Sequence, residues 1–92
     1  MLYLVHMVVD IPDTVPADVA QETIAREKAY SQELQRSGEW AEIWRVVGEY
    51  ANYSIFDVEN HDRLHEILSG LPLYRWMTIK VTPLAKHGSS IR

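Results

Sequence analysis

The chain has 92 residues, room for one domain spanning residues 1–92 with a single thin core. Its net charge of −4 excludes the basic surface that nucleic acid or an anionic membrane would need. It contains no cysteine, which excludes disulfides, thiolate metal sites and a cysteine nucleophile.

Residues 1–10, "MLYLVHMVVD", are apolar but too short to span a bilayer, and they lack the basic start and small-residue cleavage site of a secretory leader. They read as a first strand, Leu2 to Asp10, and a cytoplasmic setting is expected. "IPDTVP" is a loop punctuated by Pro12 and Pro16. Ala17 to Ser37 is free of Gly and Pro and is followed by Gly38, the pattern of a long helix with a glycine stop. "WAEIWRVV" and "YANYSIFDV" are strand-like runs separated by Gly48-Glu49, which suits a two-residue hairpin loop with glycine first. Asn60 is placed to cap a short helix, His61 to Ser69, with Leu64, Ile67, Leu68 and Leu71 on its core side. "YRWMTIKVTPL" reads as the last strand and "AKHGSSIR" as a tail.

The order β-α-β-β-α-β predicts an α+β fold, the ferredoxin-like split βαβ with both helices on one sheet face. The other face is then bare. Three Trp and five Tyr supply amphipathic aromatic surface, so a second subunit is expected to cover it.

Two runs bring chemistry-bearing residues together. On the long helix, Ala20, Ile24, Leu34 and Gly38 share a face, and Glu27 and Ser31 fill the gap between them. A carboxylate in an apolar stripe needs a reason. Either Glu27 sits at the stripe's edge or pairs with a cation such as Arg45, or it is a general base in a dry pocket. In the hairpin, a Gly48-Glu49 loop pairs Val47 with Tyr50, Arg45 with Asn52 and Ile43 with Ser54. Arg45, Tyr50, Asn52 and Ser54 then share one face, with Trp44, Tyr53 and Ile55 opposite. A guanidinium, a phenol, an amide and a hydroxyl could hold a small carboxylate or lactone oxygen, and they could equally form a wetted sheet face.

Other candidates are thinner. His61 and His65 at i, i+4 resemble a metal pair without a third ligand, so no metal is expected. His6 reads as a satisfied core or interface histidine, and Trp40 and Trp44, two strand periods apart, as packing residues. No phosphate loop or dinucleotide fingerprint is present.

The chain resembles the muconolactone Δ-isomerase family over nearly its whole length. The likeness lies in "MLYLVHM", "REK", "GEWAEIWRVVGEYANYSIFDV", "LHEILSGLPL" and the terminal "HGSSI". The resemblance implies a swapped-sheet dimer forming an α/β barrel and a ring of five dimers, a homodecamer. It also implies a small-molecule lactone substrate from catechol breakdown, with no cofactor or metal. Its pocket residues fall on Glu27, Tyr50, Asn52 and, in the tail, Ser89 or a neighbour such as His87. Glu27 is then the base, Tyr50 and Asn52 stabilise a dienolate, and Arg45, Ser54 or Arg75 bind substrate. The sequence departs from the family at His6, Arg75-Trp76 and Gly88, where the family usually has Lys or Arg, Pro-Tyr and Pro. Arg75, a cation in place of proline, could assist a departing chloride. On that ground the expectation is a 5-chloromuconolactone dehalogenase, with the plain isomerase second. A non-catalytic small-ligand binder of the same fold is the third reading.

Overall fold

The side chains of the first segment alternate between two faces. In the computed structural model, which describes residues 1–92, strand β1 spans Leu2–Val9, with Tyr3, Val5, Met7 and Val9 buried and the residues between them partly exposed. Helix α1 spans Ala17–Ser37 and stops at Gly38, whose φ of 86° is the left-handed conformation that closes helices. Strands β2, Trp40–Arg45, and β3, Ala51–Asp57, form the hairpin. Helix α2 spans His61–Ser69, capped by Asn60, whose Oδ1 accepts from the Arg63 N–H at 2.8 Å. Strand β4 spans Met77–Leu84.

The sheet order is β2-β3-β1-β4 and every pair is antiparallel. The fold is therefore the expected α+β split βαβ, with β1 and β3 central. Tyr3, Val5, Met7, Trp40 and Phe56 from the sheet pack with Leu34 of α1 and with Leu64, Ile67, Leu68 and Leu71 on the α2 side. These apolar groups, removed from water, supply most of the folding drive. Arg63 ties α2 to the start of β2, donating from Nε and Nη2 to the two Glu39 carboxylate oxygens at 2.8 and 2.7 Å. That fork holds the Glu39 carboxyl below its ordinary range. Tyr30 of α1 donates its hydroxyl to the Ile67 carbonyl at 2.8 Å, joining the two helices. A Cβ at position 70 would stand 2.7 Å from that hydroxyl and 3.1 Å from the Glu66 carbonyl oxygen, so a larger residue there would have to displace the Tyr30 hydroxyl.

Four details differ from the sequence reading. The last strand begins only at Met77, because Tyr74–Trp76 form a 3-10 turn and the β1 pairing ends at Val9–Met77. The hairpin turn is Val46 to Glu49, closed by the Glu49 N–H on the Val46 carbonyl at 3.1 Å, with Gly48 at φ 83° in third place. That is where a four-residue turn of this kind demands glycine. Val46 then pairs with Ala51, so the Arg45–Asn52 and Ile43–Ser54 register is as expected, while Tyr50 belongs to the loop rather than to a Val47–Tyr50 pair. The third difference is a bulge at Ala41, which shifts the pairing between Trp40 and Glu42. It puts Trp40, 2 % exposed, on the helix side and Trp44, 64 % exposed, on the other. In a regular strand a spacing of four residues puts both rings on one face. The fourth is the face of α1: Thr23, Ser31 and Leu34 are its buried residues, whereas Ile24 is 39 % exposed.

The sheet face away from the helices carries Leu4, His6 and Val8 from β1, Tyr53 and Ile55 from β3, and Trp44 from β2. His6 stacks on Tyr53 with ring centroids 4.4 Å apart, so it is a residue of this open face and not of the core. No helix is long and apolar enough to cross a membrane.

Candidate active site

Between α1 and the helix side of the β2–β3 hairpin lies a cavity of about 370 Å³. Its walls come from three places. Helix α1 contributes Ile24, Glu27, Lys28 and Ser31; the hairpin contributes Trp40, Ile43, Arg45, Tyr50, Ala51 and Asn52; Val9, Leu73 and Met77 close the floor and far side. Most of the lining is hydrophobic, with a few polar groups converging, the usual build of a small-molecule site. The volume suits a ligand of roughly ten to twenty heavy atoms.

Glu27 is half-buried in this wall. Its Oε1 accepts the Leu73 N–H at 3.0 Å, and none of the chain's ion pairs includes it. Desolvation raises its carboxyl above the ordinary value of 4.5, and the Leu73 hydrogen bond only partly offsets this. A structural ion pair with Arg45 is therefore not what keeps the carboxylate in the stripe. Arg45 instead stands with its guanidinium 5.7 Å from the centre of the Tyr50 ring, and its Nη1 donates to the Glu49 carbonyl at 3.4 Å. Both Arg45 and Tyr50 are exposed and stand at the mouth of the cavity.

Asn52 lies deeper, opposite Arg45 in the β2–β3 register and opposite Met7 in the β1–β3 register. Tyr50, Asn52 and Ser54 thus turn toward the helices and not toward the open face. Ser54 is fully buried, at 0 % exposure, and does not line the cavity; its hydroxyl donates to Asn52 Oδ1 at 2.7 Å. The buried indole N–H of Trp40 has no hydrogen-bond partner.

The cavity gathers Glu27, Arg45, Tyr50 and Asn52, and it leaves the other expected residues outside. Arg75 does not line it; its guanidinium lies 4.4 Å over the Trp76 ring, on the 3-10 turn that replaced the expected strand. His87 and Ser89 lie in an exposed tail whose hydrogen bonds stay within the tail, the Ser89 N–H donating to His87 Nδ1 at 2.9 Å. Lys28 and Leu73 are lining residues the sequence reading missed. Lys28 was legible, since Ile24, Lys28 and Ser31 follow helical spacing. Leu73 was not, because a backbone N–H reaching 46 residues back leaves no mark in side-chain pattern. His61 is engaged by the Tyr3 hydroxyl, and no group of three or more His, Cys, Asp or Glu side chains is placed to hold a metal ion.

Chemically, a carboxylate with raised proton affinity faces a short row of hydrogen-bond donors across a mostly apolar space. That pairing can take a proton from carbon and stabilise the resulting oxyanion.

Comparison with known proteins agrees over the full length. The family model for muconolactone delta-isomerase matches residues 1–90. Muconolactone Delta-isomerase 1 of Acinetobacter lwoffii is 65 % identical over 92 residues, covering 100 % of this chain and 96 % of that protein. The muconolactone Delta-isomerase of Cupriavidus pinatubonensis (strain JMP 134 / LMG 1197) is 64 % identical over 92 residues and covers 100 % of both chains. A crystal structure of muconolactone isomerase at 3.3 Å resolution superposes with a TM-score of 0.95 at 44 % identity, covering 100 % of this chain and 96 % of the other. On this fold, this cavity and this full-length likeness, the chain belongs to the muconolactone delta-isomerase family.

Proposed function

We propose that the chain is a muconolactone Δ-isomerase and that Glu27 is its base. The observation that carries this is the Glu27 carboxylate in the cavity wall, unpaired with any cation and raised in proton affinity. Muconolactone is an unsaturated ring lactone with a carboxymethyl arm. Its hydrogen on the oxygen-bearing ring carbon is acidic because loss of the proton leaves a dienolate conjugated with the lactone carbonyl. Glu27 takes that proton, and the electron pair moves through the ring to the carbonyl oxygen. Tyr50 and Asn52 donate hydrogen bonds to this oxygen as its charge grows. Glu27 then returns the proton to the ring carbon beside the carbonyl, and the double bond has moved one place. One proton is carried, and no cofactor enters the scheme. Arg45 or Lys28, both lining the cavity, would hold the carboxylate of the arm.

The isomerase names of the relatives at 65 % and 64 % identity favour this reading over a chlorinated substrate, and Arg75, the ground for the chlorinated reading, lies outside the cavity against Trp76. The deciding experiment supplies muconolactone and 5-chloromuconolactone separately, following ultraviolet absorbance and chloride release. The expected result is the higher kcat/KM for muconolactone; a higher kcat/KM for the chlorinated lactone, with stoichiometric chloride, would make the chain a dehalogenase.

The same reading includes a second copy of the chain on the open sheet face. Trp44 and Tyr53 stand 64 % and 44 % exposed there, beside Leu4, Val8 and Ile55, and aromatic surface of this kind is enriched at the centre of subunit interfaces. Light scattering at micromolar concentration is expected to give a mass of at least two chains, and ten chains if five dimers close a ring. A monomer would end the proposal.

A further inference from the structure

We infer that Ser54 is a positioning residue for the proposed isomerisation, locking the Asn52 carboxamide so that only its N–H donors face the substrate. The inference rests on the reading that Asn52 stabilises the dienolate.

Ser54 and Asn52 lie two residues apart on β3 and so share the helix side of the sheet. Ser54 is fully buried between Val5 of β1 and Ile43 of β2, and its hydroxyl reaches Asn52 Oδ1 at 2.7 Å. That contact is the hydroxyl's only hydrogen bond. A buried hydroxyl proton without an acceptor is costly, and this decides the sense of the bond. With the amide turned round, an N–H would occupy Ser54 Oγ and leave the hydroxyl proton with no acceptor. With the serine donating, the hydroxyl and the amide oxygen are both satisfied.

The consequence reaches the cavity. An amide is both donor and acceptor, and a free Asn52 could turn either end toward a ligand. Once Oδ1 is committed to Ser54, both Nδ2 protons remain without a protein acceptor. They are not sealed away either, because Trp40 Nε1 is the one buried side-chain nitrogen or oxygen that lacks a partner. Asn52 is therefore held as a pure donor, which suits an oxygen whose negative charge develops in the transition state. A donor already oriented spends no free energy turning when that charge appears.

The test is a double-mutant cycle on turnover of muconolactone. Ser54→Ala in the wild-type background is expected to lower kcat by about 10-fold while KM changes by less than about 2-fold, because the lost orientation matters mainly in the transition state. Ser54→Cys keeps a weaker donor of similar size and should fall between the two. In the Asn52→Ala background, Ser54→Ala should change kcat by less than about 2-fold, since nothing remains to position. Melting temperatures measured on all variants register any loss of packing separately. Equal losses from Ser54→Ala in both backgrounds would make Ser54 a packing residue and overturn the inference. So would an unchanged kcat for Ser54→Ala when Asn52→Ala is itself impaired. Full activity in Asn52→Ala would remove the proposed role of Asn52, and with it any role for Ser54, which marks failure of the underlying reading instead.

Discussion

Glu27→Gln is expected to lower kcat by at least about 100-fold, the usual scale for loss of a general base, without loosening the fold. Gln keeps the shape of the side chain and an oxygen to accept the Leu73 N–H, so the floor of the cavity should stay in place. The stability effect has a definite sign. Burial raises the Glu27 carboxyl above 4.5, so over a window above that value the folded chain still holds a proton that the unfolded chain has lost. Wild-type stability therefore falls as pH rises through the window. Glu27→Gln has no such proton to lose. Its melting temperature should match wild type in acid and exceed it near neutrality. The catalytic profile runs the other way, because the base must be ionised: kcat/KM should rise with pH through the same raised value. Near wild-type turnover in Glu27→Gln would remove Glu27 from the mechanism, and a lower melting temperature at neutral pH would show that the carboxylate is a stabilising element instead of a strained one.

Asn52→Asp is expected to lower kcat by roughly 100- to 1,000-fold, the range seen when an oxyanion loses a preorganised donor. The substitution changes two atoms and little volume. Ser54 can still donate to one carboxylate oxygen, so the local packing of β3 should hold. At the cavity, however, a pair of N–H donors becomes a negative acceptor facing an oxygen that gains negative charge, which turns attraction into repulsion. KM should rise as well, because the substrate carries its own carboxylate. Steady-state kinetics on muconolactone with a melting curve alongside tests both parts. A loss of less than about 10-fold would show that Asn52 is not a principal oxyanion donor.

Much of the architecture was written in local patterns. The Gly- and Pro-free run closed by Gly38 gives α1 with the expected bounds, and Asn60 with Leu64, Ile67 and Leu68 gives α2. Helix stops and caps depend on one or two residues and their immediate neighbours, so sequence suffices for them. The hairpin register was equally legible, because alternation constrains pairing wherever one face is buried. It placed Arg45 opposite Asn52 and put Asn52 and Ser54 on a common face. With the helical stripe through Glu27 and Ser31, that was enough to bring Glu27 and the polar residues of the hairpin to one side of the sheet.

The rest depended on where distant segments meet. The bulge at Ala41 turned Trp40 and Trp44 to opposite faces, which no count of spacing reveals, since an extra residue changes the phase of everything before it. The expected last strand included Arg75, but that strand begins only where β1 ends, at Val9–Met77, and the residues before it wind into a 3-10 turn that sets Arg75 against Trp76 and outside the cavity. Ser54 and Asn52 were indistinguishable as polar residues on one face. Depth separated them: Ser54 is fully buried and off the cavity wall, and Asn52 lines it. Glu27 gained its raised proton affinity in the same way, from burial, which the backbone N–H of a segment 46 residues distant only partly offsets. Away from the bulge, the sequence determined which hairpin groups share a face; tertiary packing alone decided which of them is dry, which is oriented and which reaches the cavity, because desolvation and hydrogen-bond satisfaction depend on every segment that closes over a residue.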